Sequence, residues 1–179
     1  MNNKEKLLEI LFEEPSKQFH IRLLARLAKI NPNTVINISN LLLKEGLISK
    51  YKDKDSHLTF IKANTENPYY KLKKQFFNIE KIYKSGLMDY FNEEFSYPTV
   101  ILFGSYAKAE NTRESDIDLF LITEEKKHPN LKIYEQKLNA EIQLFKHTKN
   151  EFENLKKSSP ELINNIVNGY KLSGFLEVL

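Results

Sequence analysis

Two short motifs in the middle of the chain combine an anion-binding turn with a pair of carboxylates. Gly104-Ser105 follows an apolar run at 100–103, and Asp116 and Asp118 follow further along. Side chains two residues apart on a strand point to the same face. Two carboxylates held side by side repel each other unless a cation lies between them, so this spacing predicts a Mg²⁺ site. A glycine permits close backbone approach, and the free N–H groups at a helix start attract an anion.

Alternation and turn residues predict the elements that must hold these motifs in place. An apolar strand opens after Pro98 and ends at the Gly-Ser turn into a short helix, and a second strand carries the two carboxylates. Further along, the pattern predicts a helix over 131–138, a third strand over 141–145 and two helices before Gly169. We therefore expect a small α+β domain with a mixed sheet.

Residues 98–172 resemble the nucleotidyltransferase superfamily typified by DNA polymerase β, and its minimal branch in particular. The resemblance rests on two motifs, Gly104-Ser105-Tyr106-Ala107-Lys108-Ala109-Glu110 and Ser115-Asp116-Ile117-Asp118-Leu119. It implies transfer of a nucleoside monophosphate from a Mg²⁺-bound NTP to an acceptor hydroxyl. The implied Mg²⁺ ligands are Asp116 and Asp118. The implied nucleotide-binding residues are Gly104, Ser105 and Lys108.

The chain departs from this family pattern at two places. Lys108-Ala109 stands where the family usually has Arg-Gly, so the planar fork of arginine is lost. Gln143 stands where active members have a third carboxylate, and glutamine is neither an anionic ligand nor a base. Glu141 lies on the same face of that strand and is assigned as the third catalytic group. The sequence leaves open whether the site is an active enzyme, a nucleotide-binding site only, or a solvated strand end.

The N-terminal segment is predicted to contain three helices and a β-hairpin. Asn31 is a good helix N-cap, Pro32 fits the first helical position, and Gly46 ends the third helix. Two strands then flank a polar turn at 53–56. This order resembles the winged helix-turn-helix family, whose third helix enters the DNA major groove. The residues assigned to double-stranded DNA are Arg22, Arg26, Asn33, Thr34, Asn37 and Lys44.

Two functions remain open for this N-terminal segment. Its helix has no arginine for guanine, and Ile36 and Leu43 are expected to be exposed on it, as in a protein-interaction module. Residues 1–62 carry 11 Lys or Arg against 7 Asp or Glu, which is compatible with a polyanion but does not require one. The alternative to a nucleotidyltransferase is therefore a DNA-binding transcriptional regulator with a weak or inactive nucleotide-binding domain.

A helical connector is predicted between these two parts, giving domains at 1–64, 65–96 and 97–179. Its large apolar residues follow a heptad spacing: Tyr69, Leu72, Phe76, Ile79 and Tyr83. This stripe is expected to pack on the flanking domains, and the alternative is a homodimer seam. The chain has no cysteine, no apolar run of membrane-spanning length and no signal peptide, so we expect a cytoplasmic protein without a membrane partner.

Overall fold

The computed structural model describes residues 2–54 and 57–177. The chain divides into two compact units, Met1–Lys74 and Gln75–Leu179, each with its own β-sheet. Helices and strands alternate in both units, so the α+β class is confirmed. The predicted division into domains at 1–64, 65–96 and 97–179 stays a prediction.

Three helices begin the N-terminal unit: α1 at Asn3–Glu13, α2 at Ile21–Ala28 and α3 at Pro32–Lys44. Each of them starts at a side-chain cap, and Asn2 forms a capping box with Glu5 at the start of α1. The Asn31 side chain accepts a hydrogen bond from the Asn33 N–H at 2.8 Å, with Pro32 in the first helical turn. The His20 side chain caps α2 by accepting from the Leu23 N–H at 3.2 Å.

A three-stranded antiparallel sheet completes this unit, with β1 at Phe19–His20, β2 at Ile48–Lys52 and β3 at Thr59–Ala63, in the order β1-β3-β2. The expected hairpin is β2 and β3, although β3 lies two residues later than the predicted 57–61. The predicted turn at 53–56 includes residues 55 and 56, which lie outside the described residues. Strand β1 was not predicted, because two residues are too short to show a period.

Helix α4, at Pro68–Lys84, does not bury the stripe that its heptad spacing predicted. Four of the five stripe residues are exposed: Tyr69 by 43%, Leu72 by 42%, Phe76 by 61% and Tyr83 by 47%. The residues buried instead are Tyr70, Lys74, Asn78 and Ile82. The expected packing role of the stripe is therefore wrong, since the buried side of α4 includes polar residues that an apolar pattern does not detect.

The C-terminal unit is built on a four-stranded mixed sheet in the order β6-β5-β4-β7. Its strands are β4 at Thr99–Phe103, β5 at Ile117–Ile122, β6 at Ile142–His147 and β7 at Tyr170–Ser173. Strand β5 pairs antiparallel with β4 and parallel with β6. The three predicted strands are present, and β7 was not predicted because four residues are too few to show a period.

Helices cover both faces of this sheet. They are α5 at Leu87–Glu94, α6 at Gly104–Lys108, α7 at Lys132–Leu138, α8 at Lys149–Ser158 and α9 at Pro160–Val167. Leu102 and Leu119 pack on one face with Phe91 of α5, and Phe120 packs on the other with Phe152 of α8. Burial of both faces fixes the strand register, because a slip of one residue would exchange the two apolar sets.

No helix in residues 2–54 and 57–177 is long and apolar enough to cross a membrane. The predicted cytoplasmic location stays a prediction.

Candidate functional site

The register of the strands brings the Gly-Ser motif, the two aspartates and Gln143 to one end of the C-terminal sheet. Phe103, the last residue of β4, pairs with Asp118 of β5, and Asp118 pairs with Gln143 of β6. The Gly104 turn therefore lies beside Asp118 on one side, and Gln143 lies beside it on the other. Residues distant in the sequence become neighbours because adjacent strands lie about 4.8 Å apart.

Gly104 allows the turn to approach the Asp118 carboxylate closely. Its φ is +67°, in the left-handed region that favours glycine. A Cβ at this position would lie 2.1 Å from Oδ2 of Asp118 and 3.0 Å from Cγ. The carboxylate thus occupies the space that any other residue's Cβ would fill. Ser105 follows in α6, where it is half-buried.

The two carboxylates face each other closely enough to interact. Burial, and then the negative charge of Asp116, raise the pKa of Asp118 above its ordinary value. Both side chains are half-buried, and Ile117 between them is buried on the opposite face of the strand. Two like charges at one strand end attract a cation, because a cation removes the repulsion between them.

Gln143 takes a direct part in this cluster. Its Nε2 donates a hydrogen bond to Oδ2 of Asp116 at 2.6 Å. The Gln143 amide thus meets part of the hydrogen-bonding capacity of Asp116, which lies next to a second carboxylate. It does so without adding a third negative charge. If its amide rotates, Gln143 presents a neutral carbonyl oxygen to the same space.

Glu141, the residue assigned as the third catalytic group, lies two residues before Gln143. It is exposed and immediately precedes β6, and its main-chain carbonyl accepts a hydrogen bond from the Ile117 N–H at 2.9 Å. The side chain that donates to Asp116 is that of Gln143, since a carboxylate has no proton to donate. The two residues do share the strand face, since Ile142 between them is buried.

Lys108 and Ala109 form the end of α6. Ala109 has a φ of +59° and is the left-handed C-cap of α6. It therefore adopts the conformation in which glycine is favoured, at a cost of about 1–2 kcal/mol. Lys108 ends the helix with an exposed side chain.

Residues 86–172 match the family model described as polymerase beta, nucleotidyltransferase. The matched segment contains both motifs and Gln143, and it begins inside the predicted connector. The C-terminal unit therefore contains a nucleotidyltransferase-type domain. No curated protein matches the chain.

The donors in the nucleotidyltransferase domain fit a divalent cation of the kind such proteins typically use. Magnesium is usually held by one or two carboxylates together with phosphate oxygens and water. The two aspartates beside the Gly104 turn meet this requirement. Across residues 2–54 and 57–177, no three or more His, Asp or Glu side chains are grouped to hold a metal ion.

Two amide side chains of α4 contact the turn and were missed by sequence reasoning. Asn78 Nδ2 donates to the Tyr106 carbonyl oxygen at 2.9 Å, and Gln75 Nε2 donates to the Ala107 carbonyl oxygen at 2.8 Å. These hydrogen bonds join residues far apart in the sequence, so no local spacing indicates them.

The residues assigned to DNA lie on α2 and α3 of the N-terminal unit. Five of them are exposed and Thr34 is half-buried; the exposed ones are Arg22, Arg26, Asn33, Asn37 and Lys44. Ile36 and Leu43 are exposed on α3, as expected. Lys50 Nζ donates to the Asn40 side chain at 2.7 Å, which connects β2 to the outer face of α3.

Proposed function

We propose that the C-terminal unit binds a Mg²⁺-bound nucleoside triphosphate and transfers its nucleoside monophosphate to an acceptor hydroxyl. The observation that carries this proposal is the close approach of the Gly104 turn to Asp118, beside Asp116. Phosphoryl transfer requires mainly that phosphates be positioned and their charge offset. The turn would position the triphosphate, and the adjacent cation site would offset its charge. The matched family supports the same reaction class.

Each residue of the cluster has a distinct role in this proposal. Gly104 and Ser105 contact the triphosphate, and Lys108 offsets its charge. Asp116 and Asp118 hold Mg²⁺, which when bound offsets negative charge on the phosphate oxygens. The acceptor oxygen forms a bond to the α-phosphorus while the α–β bond breaks. Pyrophosphate leaves with the electron pair, and the hydroxyl proton passes to the Glu141 carboxylate.

Gln143 favours a second candidate function, in which the domain binds a nucleotide without turnover. The side chain that contacts Asp116 is a neutral amide and accepts no proton from an acceptor hydroxyl. In this case the chain is a DNA-binding transcriptional regulator whose C-terminal unit binds a nucleotide as a signal.

Transfer of label from α-labelled NTPs in the presence of Mg²⁺ separates the two functions. The enzyme proposal predicts label on an acceptor with wild type and none with Asp116→Asn. Glu141→Gln should lower the rate by roughly 10²–10⁴-fold, as for removal of a general base, with unchanged Mg²⁺–NTP affinity. Glu161→Gln is the control, since it removes an exposed carboxylate from α9.

Loss of nucleotide binding in Asp116→Asn without any label transfer in wild type would favour the sensing function. Equal transfer by wild type and Asp116→Asn would contradict the enzyme proposal at this site.

We also propose that the N-terminal unit is a winged helix-turn-helix domain that binds double-stranded DNA. Its support is the order α1, β1, α2, α3, β2, β3, with α2 and α3 close in sequence and a hairpin after them. Exposed arginines on α2 and exposed amides on α3 suit phosphates and adenine edges, respectively. Fluorescence anisotropy with a labelled duplex should show binding that weakens steeply between 50 mM and 200 mM salt. Absence of binding at the lower salt concentration would overturn this proposal.

The exposed stripe on α4 supports a third proposal, a homodimer formed between copies of this helix. Tyr69, Leu72, Phe76 and Tyr83 recur on one side with the heptad spacing of a two-helix seam. Light scattering should show a mass that rises with concentration for wild type. Phe76→Lys, at the most exposed of the four, should abolish this rise. A wild-type monomer at all concentrations would contradict the seam.

A further inference from the structure

The helix that carries the Gly104–Ser105 turn is too short to hold its own geometry. Helix α6 has five residues, and no side chain among the described residues caps its N-terminus. A helix this short forms very few internal hydrogen bonds, so most of its carbonyl groups need other partners. Its orientation therefore depends on the contacts that surround it.

Three successive carbonyl groups of α6 receive hydrogen bonds from outside the helix. The Ser105 carbonyl accepts from the N–H groups of Glu110 and Asn111, at 2.9 and 3.2 Å. The next two carbonyls, of Tyr106 and Ala107, accept from side chains of α4. These donors are the Asn78 amide at 2.9 Å and the Gln75 amide at 2.8 Å.

The two α4 amides are themselves held by further hydrogen bonds. Asn78 is 2% exposed, and its Nδ2 also donates to Oδ1 of Asn111 at 2.9 Å. Asn111 is 5% exposed and lies in the segment between α6 and β5. Oε1 of Gln75 accepts from the Tyr170 hydroxyl at 3.0 Å. Amides with two hydrogen-bond partners have little freedom to move, so they fix the position of α6 relative to this part of α4.

We propose that Gln75 and Asn78 are positioning residues for nucleotide binding, which hold the Gly104–Ser105 turn at the distance from Asp118 that a triphosphate requires. This inference rests on the proposed function of the turn. Both residues lie before residue 86, outside the segment that matches the nucleotidyltransferase family. The connector helix is thus part of the functional site, although neither amide touches the nucleotide.

Triphosphate affinity and cation affinity should respond differently to the loss of an α4 amide. The two α4 amides bond to α6, whereas Asp118 lies in β5, whose pairing with β4 and β6 fixes its position, and Asp116 immediately precedes that strand. Loss of an α4 amide should therefore weaken contacts made by the turn and leave the carboxylates in place. A general loss of structure would weaken both.

The test compares Gln75→Met and Asn78→Leu with wild type, since both changes remove the amide donor without adding charge. Glu80→Gln is the control, on an exposed position of α4. Calorimetry measures affinity for the NTP that binds wild type best among ATP, GTP, CTP and UTP, with Mg²⁺, and for the corresponding monophosphate. Electron paramagnetic resonance measures the affinity for Mn²⁺ alone.

Both variants should bind the triphosphate about tenfold more weakly, the loss expected for one well-formed hydrogen bond. Monophosphate affinity and Mn²⁺ affinity should change by less than about twofold, and Glu80→Gln should behave as wild type. Gln75 is half-buried, so Gln75→Met carries the test alone if Asn78→Leu does not fold.

Two results would overturn the positioning role while leaving the proposed function intact. One is unchanged triphosphate affinity in folded Gln75→Met, and the other is an equal loss of triphosphate and Mn²⁺ affinity. Failure of wild type to bind any of the four triphosphates would instead remove the proposed function, and this inference with it.

Discussion

The two units differ in how their candidate functional residues are arranged. In the C-terminal unit, the register of three strands directs Gly104, Asp118 and Gln143 toward one point. In the N-terminal unit, the candidates are separate side chains on the outer faces of two helices, such as Arg22 and Asn33.

This difference determines how strongly each unit argues for a function. Burial, together with the charge of Asp116, raises the pKa of Asp118, and the Asp118 carboxylate lies where only a glycine fits opposite it. Solvated surface residues would show neither feature. Exposed amides and cations on a helix fit DNA, a protein partner or water equally well. A substitution of a single residue should therefore abolish binding at the convergent site. At the dispersed surface, each substitution should lower affinity by only a small amount.

Gly104→Ala should have the largest effect, because it alters the point where the turn approaches the Asp118 carboxylate. The new Cβ would meet the Asp118 carboxylate, and φ at +67° is unfavourable for alanine. We expect a loss of unfolding free energy of about 3 kcal/mol, from about 1–2 for the backbone and the rest for the clash. Mg²⁺–NTP binding should disappear. Urea unfolding and calorimetry measure the two effects.

Gly86→Ala is a matched control for this change. Its φ is +83°, yet a Cβ there would have nothing within 4 Å. It should lose about 1 kcal/mol and retain nucleotide binding. Equal losses in the two variants would contradict the role assigned to the Asp118 contact.

The double variant Arg22→Gln, Arg26→Gln should weaken duplex DNA binding in a graded way. Each removed phosphate contact should reduce the slope of log affinity against log salt by about 1, so the double variant should lose about 2. Anisotropy titrations at several salt concentrations measure this slope. The control removes two exposed lysines elsewhere, with Lys71→Gln and Lys126→Gln. Equal slopes for both double variants would show that α2 has no special place in DNA binding.

Asp118→Asn should stabilise the metal-free protein at neutral pH. The pKa of Asp118 is raised in the folded state, so the folded form binds its proton more tightly than the unfolded chain does. Wild type therefore loses stability as pH rises through this pKa, and the variant does not. Thermal melts at pH 7 should show a higher melting temperature for the variant than for wild type. The gain in unfolding free energy should be less than about 1 kcal/mol, because the group is partly solvated.

Two conditions should remove this advantage of Asp118→Asn. Below about pH 3 the carboxyl group is mostly neutral in both states, so the melting temperatures should converge. Added Mg²⁺ should stabilise wild type more than the variant, because the variant lacks the second carboxylate. A variant less stable than wild type at pH 7 without metal would contradict a raised pKa of Asp118 caused by burial and by the charge of Asp116.

Ala109→Gly should have the smallest effect. Glycine relieves the cost of a left-handed φ, but the change removes a buried methyl group worth about 0.8 kcal/mol and adds freedom to the unfolded chain. We expect a change in unfolding free energy within about 1 kcal/mol and unchanged nucleotide affinity. A larger loss in urea unfolding would show that the Ala109 methyl group holds the turn.

The elements with a strong local pattern were predictable from the sequence. The apolar strands around the Gly-Ser turn and the spacing of Asp116 and Asp118 follow from a period of two. Strands β1 and β7 were missed because each is short and is defined by its pairing partner. The stripe on α4 was expected to be buried, but the buried side of the helix is the opposite one. An apolar pattern does not indicate that side, because it includes the polar residues Lys74 and Asn78.

Contacts formed only in the folded chain explain what the sequence did not reveal about the site. Gln143 and Glu141 are equivalent by strand face, and only the structure shows that the amide is the one bonded to Asp116. The amides of Gln75 and Asn78 are separated from the turn by a helix and a strand in the sequence. No periodicity relates such residues to each other.

The central claim is that Asp116 and Asp118, against the Gly104 turn, form a Mg²⁺–nucleotide site. Calorimetry of Mg²⁺–NTP binding to wild type and to the double variant Asp116→Asn, Asp118→Asn tests it without knowledge of the acceptor. We expect binding by wild type that requires Mg²⁺, and affinity at least about tenfold weaker in the double variant. Absence of Mg²⁺-dependent binding in wild type, or equal binding by the two proteins, would contradict the claim.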